Sequence, residues 1–400
     1  MKIVFFSRFM THHLTDVCDE LYKLTEGDFY FVETEYLPSM RKNLGYKDEA
    51  KLRPYCINIQ DGIDSYEKAK QLCIDADVAI IGSRSYEFES IRFSHGNKLT
   101  FKLKERLFKK GIKMRYDPKV KQDMYNKHQK FFRNNLYYLC AGTYTATDVK
   151  FLGLNENRLV KWGYFPPFRT HSLEDFKNAK TGDTIRILWC GRYMSTKVPH
   201  LILPAIRYVL DAGHKVELTY LGAVEEQESK DKVDEYVKRY HLENHVKFLQ
   251  SVSSDKVRDI MLSSHILVMS SNYEEGWGAV VSEAMNEGCV VISSAAAGAT
   301  GFLITDKQNG FVFNYRNPKS LEKVLEEVLV RNEYVEIGYQ AYQTIATEWN
   351  GIEAARRFYE LSTRLINESD DPYYATGPCS QAHDIKNMKH LIEMISGVEK

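Results

Sequence analysis

At 400 residues, with 44% apolar side chains and 54 basic residues balanced by 54 acidic ones, the chain is long enough for two or three domains, each able to bury a large core. This composition describes a soluble globular protein and excludes a single small module, a fibrous protein and a disordered one. No stretch reaches the roughly 18 uninterrupted apolar residues of a membrane span, and the seven cysteines are scattered without a CxxC pair, so neither a disulfide framework nor a zinc site is suggested.

The opening MKIVFFSRFM has too short an apolar run for a signal peptide and reads as a strand, which makes the reducing cytoplasm the expected location. Short runs rich in Val, Ile, Phe and Tyr follow: KIVFF, DFYFVE, YCINI, DVAIIG, IKMRYD, YYLCAG and RLVKWGYF. They alternate with longer segments of helical period. Runs apolar at consecutive positions belong to strands covered on both faces, as in a parallel sheet. From Lys98 to Arg133 thirteen Lys or Arg stand against three acids, interleaved with Phe101, Leu103, Leu107, Phe108, Phe131 and Phe132. That is either a solvated helix face or a surface that docks on anionic membrane; no nucleic-acid motif accompanies it.

Residues 166–183, PPFRTHSLEDFKNAKTGD, are polar and without clear period, and read as a linker after a first domain at 1–165. A second series, IRILWCG, KVELTYLG, VKFLQSV, HILVMSS, CVVISSA and GFVFNY, makes a second domain at 184–345. Two doubly wound α/β sheets then face a cleft, with ligands expected outside the carboxyl ends of their strands. In 346–400, GIEAARRFYELSTRLI is a long amphipathic helix with Ile352, Ala355, Phe358, Tyr359 and Leu365 near one face. An irregular tail follows it, and then a last short amphipathic helix.

The candidate chemistry lies in the second series. In ILWCGRYMSTK a strand ends at Cys190, Gly191 permits a sharp turn, and Arg192 and Lys197 follow as cations suited to a diphosphate. In HILVMSSNYEEGWGAVVSEAMNEG, Gly276 and Gly278 flank Trp277 where a helix should begin, and a helix N-terminus suits an anion. With the helix starting near Gly278, Glu283 falls about one and a half turns in, roughly 7 to 8 Å along the axis. Glu275 precedes the helix, so the two acids address different parts of one elongated ligand, each able to accept hydroxyl hydrogen bonds. Downstream, Gly298, Ala299 and Thr300 either offer further backbone amides or simply allow tight packing.

These residues resemble the donor-binding domain of retaining glycosyltransferases of family 4, which have the two-domain GT-B fold. The resemblance rests on GR with a Lys five positions later and on EGWGAVVSEAM, with the Glu-seven residues-Glu signature intact as Glu275 and Glu283. It extends to TEWNGIEAARRFYELSTRLI, similar to the C-terminal helices that cross back to the first domain. More loosely, YYLCAGTYTATD, KWGYFPPF and GPCSQA look like a branch of bacterial surface-polysaccharide transferases.

The resemblance implies transfer of a sugar from a nucleotide diphosphate to a glycan or lipid-linked acceptor, with retention. Arg192 and Lys197 would neutralise the diphosphate, Glu275 would hold sugar hydroxyls, Glu283 the ribose, and the turn at Val252 would border the base. No metal or other cofactor is implied; the co-substrate is an NDP-sugar, with UDP favoured. Where relatives carry a Gly-rich first loop and a His after the fourth strand, this chain has SRFMTHH and GSRSYEF, leaving His12, His13 and Arg84 as sugar-facing or acceptor residues and His95 as a weaker candidate. The expected partners are donor, acceptor and an anionic membrane surface through 98–133, which gives a peripheral position on the inner face of the cell membrane. The rival readings are a GT-B epimerase, a phosphorylase lacking its cofactor-lysine motif, and a non-catalytic membrane or polyanion binder with a vestigial donor site.

Overall fold

The apolar runs form two all-parallel sheets in a computed structural model that describes residues 1–39 and 47–385. One unit comprises Met1–Pro167 together with the segment beginning at Glu348; the other is Phe168–Thr347.

In the first unit, seven strands are β1 (Ile3–Ser7), β2 (Phe29–Glu33), β3 (Cys56–Asn58), β4 (Val78–Ile81), β5 (Thr100–Lys104), β6 (Leu136–Ala141) and β7 (Leu159–Trp162), in the order β3-β2-β1-β4-β5-β6-β7. All four residues of β4 are buried because helices cover both faces of the strand. On one face Phe6 stacks on Phe88 at 4.3 Å. Another contact set joins Phe101 and Trp162 to Phe358 of the helix Gly351–Ile366, at 4.8 and 5.7 Å.

That long helix buries Gly351, Ala354, Ala355, Phe358, Leu361 and Ser362. Ile352, placed on the apolar stripe by sequence, is instead 54% exposed, so the buried face is rotated by about one residue. Gly351 explains the rotation: a Cβ there would sit 2.5 Å from the Asp16 Cβ on the helix Thr15–Leu24, so the face that meets that helix must be bare at this point. The polar tail pairs with the outer strand, through Lys161 N to Ser380 O at 2.8 Å and Ala382 N to Leu159 O at 2.8 Å, and covers an edge that would otherwise be open. The last amphipathic helix expected from sequence lies outside the described residues.

The sequence misplaces the fifth strand. IKMRYD forms a single 3-10 turn, Ile112–Tyr116, and the strand is TFKLK, whose lysines hide its sheet character. Lys102 is fully buried and pairs with Glu89 at 2.5 Å, so it contributes nothing to a surface patch. Burial, with Lys102 and Lys127 adding to it, pushes the Lys104 ammonium down to about 7. Of the apolar residues interleaved with the basic run, Phe101, Leu103, Phe108 and Phe131 are buried in the core, not presented for insertion. The exposed aromatics there are Tyr116 and Tyr125, beside exposed Lys109, Lys110, Lys113, Lys119 and Lys121.

In the second unit, β8 (Ile185–Cys190), β9 (Val216–Leu221), β10 (Val246–Leu249), β11 (Ile266–Met269), β12 (Val290–Ser294) and β13 (Phe311–Phe313) take the order β10-β9-β8-β11-β12-β13. The expected linker 166–183 is not irregular. It holds the helix Leu173–Ala179, opened by a reciprocal Ser172–Asp175 capping box. Phe176 on it is fully buried against Tyr342, with ring centroids at 5.4 Å. Its apparent lack of period reflects one short helix with a single anchoring aromatic. Among the described residues no helix is long and apolar enough to cross a membrane.

Gly351→Ala tests the helix contact. Helix propensity alone would favour Ala by up to about 1 kcal/mol, whereas overpacking against Asp16 and the Val17 amide costs about 1–3 kcal/mol. The expected result is a lower thermal unfolding midpoint; a raised midpoint would contradict the close approach.

Candidate functional site

In the second sheet the direction of strand addition reverses between β8 and β11, and the loops leaving these two strands carry most of the candidate residues. The loop after β8 is held by backbone bonds from Tyr193 N to Ala223 O at 2.9 Å and Lys197 N to Met194 O at 3.0 Å. Ser195 N also donates to the Glu226 carboxylate at 2.6 Å. The glycine this arrangement demands is Gly222 at the exit of β9: its φ is +148°, and a Cβ would lie 1.9 Å from the Gly191 carbonyl oxygen. Gly191, expected to permit the sharp turn, has only ordinary contacts at its Cβ position, so the close approach here demands glycine at Gly222 instead.

Lys197 and Glu275 meet across the two loops, Nζ to Oε2 at 2.5 Å, with side chains only 18% and 13% exposed. Ser271 Oγ donates to the same carboxylate oxygen at 2.9 Å. Behind them runs a chain from Trp189 Nε1 to Ser270 Oγ at 2.9 Å and on to the Lys197 carbonyl at 2.8 Å. The Asn272 amide closes the junction on Thr196 O at 2.9 Å. Sequence reasoning missed Ser270, Ser271 and Asn272; their signal was position, immediately past the carboxyl end of a buried strand.

Arg192 does not join this pair. Its guanidinium forms an ion pair with Glu225 on the loop after β9, both groups well exposed. Glu283 lies in the first turn of the helix Val280–Asn286, nearer the helix start than the sequence estimate because the helix begins two residues beyond Gly278. Burial pushes the Cys190 thiol up to about 12, with Glu283 adding to the rise and Lys197 opposing it, which puts both groups within electrostatic range of the end of β8. Gly278, at φ +91°, holds a left-handed conformation that favours glycine, and a Cβ there would press on Met269 Cε at 2.7 Å.

Trp277, expected among the donor contacts, is 1% exposed and packs on Phe302, so its indole serves the core. Its carbonyl accepts the Ala299 amide at 2.8 Å, and the Thr300 amide is taken by Ala297 O at 3.2 Å. Thr300 Oγ1 is likewise engaged with Ser293 and Ser294. The Ala299 and Thr300 amides are thus engaged within the chain. Val252 lies on the loop after the edge strand β10 and is 37% exposed, beside exposed Phe248 and Leu249.

The helix Val280–Asn286 is anchored by a group the sequence did not single out. Glu287, fully buried at its C-terminus, receives Arg258 Nε at 2.6 Å and His171 Nε2 at 2.8 Å, while Asn286 bonds the Arg169 backbone on both its donor and acceptor sides at 2.8 and 2.9 Å. A buried carboxylate left without such partners would be strongly destabilising.

In the first unit, His12 and His13 follow β1 with rings 3.9 Å apart, and Arg84 follows β4 and pairs with Glu35 at 2.8 Å. His95 is exposed at the end of its helix, bonded to Ile91 O at 2.9 Å, and precedes the start of β5.

Over 91% of this chain and all of that one, the structure is similar to Anabaena Alr3699/HepE, solved in complex with UDP and glucose, with a TM-score of 0.67 at 15% identity. Two all-parallel Rossmann-like sheets in one chain decide the architecture. The fold is GT-B. Within this GT-B chain, residues 171–344 match the family model of glycosyl transferases group 1. Spore coat protein SA of Bacillus subtilis (strain 168) is 25% identical over 152 residues, 37% of this chain and 40% of that protein. The GDP-Man:Man(3)GlcNAc(2)-PP-Dol alpha-1,2-mannosyltransferase of Dictyostelium discoideum is 22% identical over 241 residues, 57% of this chain and 47% of that one. The chain thus spans less than half the length of these curated relatives.

The Lys197–Glu275 contact predicts energetic coupling in the unliganded protein. Lys197→Met and Glu275→Gln should each lower stability to urea, and the double variant should lose less than the sum, with an interaction of about 0.5–3 kcal/mol. Strict additivity would show that the two side chains do not pair in solution.

Proposed function

We propose that the protein is a retaining glycosyltransferase of the family 4 type, which moves a sugar from a nucleotide diphosphate, UDP first among the bases, to a hydroxyl of a glycan or lipid-linked acceptor in polysaccharide synthesis. The observation that carries this reading is the Lys197–Glu275 pair at the reversal point of the second sheet, with Glu283 in the first turn of the helix that follows. An ammonium has three N–H donors, so Lys197 can keep one on Glu275 and turn another to a phosphate oxygen. Glu275 thereby orients the cation and keeps a second oxygen for a sugar hydroxyl. Arg192 moves from its exposed partner Glu225 to the diphosphate, at little cost for a surface pair.

Glu283 takes the ribose, Gly276 and Gly278 let the backbone approach the donor, and the exposed turn at Val252 borders the base. Lys197 and Arg192, once on the departing diphosphate, supply the electrostatic stabilisation that a metal gives elsewhere, so the reaction is expected to survive chelation. His12, His13 and Arg84, on the loops leaving β1 and β4, belong to acceptor recognition.

The test is a panel of UDP-, GDP-, ADP- and dTDP-sugars, assayed for binding and slow donor hydrolysis with and without EDTA. At least one donor should bind better than its free nucleotide; if none does, the transferase reading fails. Lys197→Ala should weaken diphosphate donors by about 1.5 to 3 kcal/mol and nucleosides far less. Glu275→Ala should reduce turnover more than nucleotide affinity, and Glu283→Ala the reverse; identical profiles would contradict the division of roles.

For the lipid-linked acceptor, we propose that exposed Lys109, Lys110, Lys113, Lys119 and Lys121, with Tyr116 and Tyr125, rest on an anionic bilayer at the inner face of the cell membrane. The chain should sediment with phosphatidylglycerol vesicles at low salt and be released at high salt. Neutralising Lys113, Lys119 and Lys121 to Gln should abolish this; equal binding to neutral phosphatidylcholine vesicles would defeat it.

A further inference from the structure

The first sheet has its own reversal point, between β1 and β4. Ligands of open parallel sheets bind outside the carboxyl ends at such a point. Here the two strands run close together: Gly82 N donates to Phe6 O at 2.7 Å, and a Cβ on Gly82 would lie 2.7 Å from that same oxygen. The residue after β1 is Arg8, and Arg84 follows β4 by three positions. Both guanidiniums converge on one carboxylate, Glu35, just past the end of β2: Arg8 Nε reaches Oε2 at 2.5 Å and Arg84 Nη1 reaches Oε1 at 2.8 Å.

Three properties separate this cluster from an ordinary loop tie. Two guanidiniums share one carboxylate, so a positive charge is left over, and together they hold Glu35 below the usual carboxylate range. Lys104, at the end of β5, reaches the same loop from the next strand, and its hydrogen bonds go to two neutral acceptors, Gly82 O at 3.4 Å and the Tyr86 hydroxyl at 3.2 Å. Among the described residues it has no carboxylate partner. Finally, Arg84 holds φ +56°, a left-handed conformation that costs a non-glycine residue about 1–3 kcal/mol and persists where the surroundings require it. The cluster stays open to solvent, with Arg84 62%, Arg8 37% and Glu35 30% exposed.

We propose that this crevice binds an anionic group of the acceptor, a phosphate or a sugar carboxylate, gripped by Arg8 and Arg84, and that Glu35 is the internal counter-ion which the group displaces. Two oxygens of one carboxylate already sit on two guanidinium N–H donors, the arrangement that a bound phosphate or uronate would reproduce with its own oxygens. Glu35 sets selectivity as well as holding the loops: a neutral acceptor gains nothing by displacing it. The proposal rests on the transferase reading for the word acceptor, though the anion site stands on geometry of its own.

The experiment titrates the full-length chain calorimetrically with glycerol 3-phosphate, methyl glucuronide and neutral methyl glucoside. It is run on the unmodified protein and on Lys197→Ala, which silences the other phosphate candidate. Glycerol 3-phosphate or methyl glucuronide should bind in both backgrounds, methyl glucoside in neither, and the tighter of the first two identifies the acceptor group. Glu35→Gln should strengthen that binding about tenfold by removing the competitor, and Arg84→Gln should weaken it about tenfold. Arg84→Lys, which keeps the charge without the fork, should fall between.

UDP affinity should be unchanged by the Glu35 and Arg84 substitutions. A Glu35→Gln protein with unchanged or weaker anion binding, or anion binding lost only with Lys197→Ala, would overturn the proposal and leave Glu35 a structural tie. Success here with failure of every nucleotide sugar would overturn the transferase reading alone.

Discussion

Parallel pairing of β8 with β9 on one side and β11 on the other is the constraint from which the candidate donor site follows. Because every strand of a parallel sheet points the same way, every loop that leaves a carboxyl end emerges on one edge. Where the strand order reverses, two such loops diverge to opposite faces and leave a crevice. Lys197 and Glu275 fill that position in the second unit, and Arg8 and Arg84 fill the corresponding position in the first. In both places a cation from one loop meets a carboxylate from another.

Charges buried within the units do different work. Lys102 with Glu89, and Glu287 with Arg258 and His171, are enclosed by core residues and have few oxygens or protons left for a ligand. Removing one member would strand the other in a low-dielectric interior. Their effect is positional: Glu287 ties the helix that carries Glu283 to the segment around Arg169 and to the helix Ser254–Ser263. Lys197, Glu275, Arg8, Arg84 and Glu35 keep partial exposure and spare hydrogen-bonding capacity, the condition for meeting a ligand without first breaking the fold.

Misreadings of the sequence have a common cause. TFKLK was hidden among lysines because a buried Lys with a buried Glu partner looks, in one dimension, like a surface residue. IKMRYD has the apolar content of a strand, yet it makes one tight turn. Trp277, conspicuous between two glycines, is a core residue, and the Ala299 and Thr300 amides after β12 bond within the chain. Gly222, which the close approach of β8 and β9 requires, stood in a run that carried no sign of it.

By itself, the sequence determined the two parallel sheets, since strands buried on both faces need consecutive apolar residues and leave that pattern in the chain. It also determined the glycine-opened turn before Glu283 and the presence of the two cations on one loop. Tertiary structure alone decided that Lys197 takes Glu275 while Arg192 takes Glu225, and that Arg8 and Arg84 share Glu35. Lys197 and Glu275 are 78 residues apart, and Arg84 and Glu35 are 49. Which charges meet over such separations is set by strand order, and strand order leaves no local period to read.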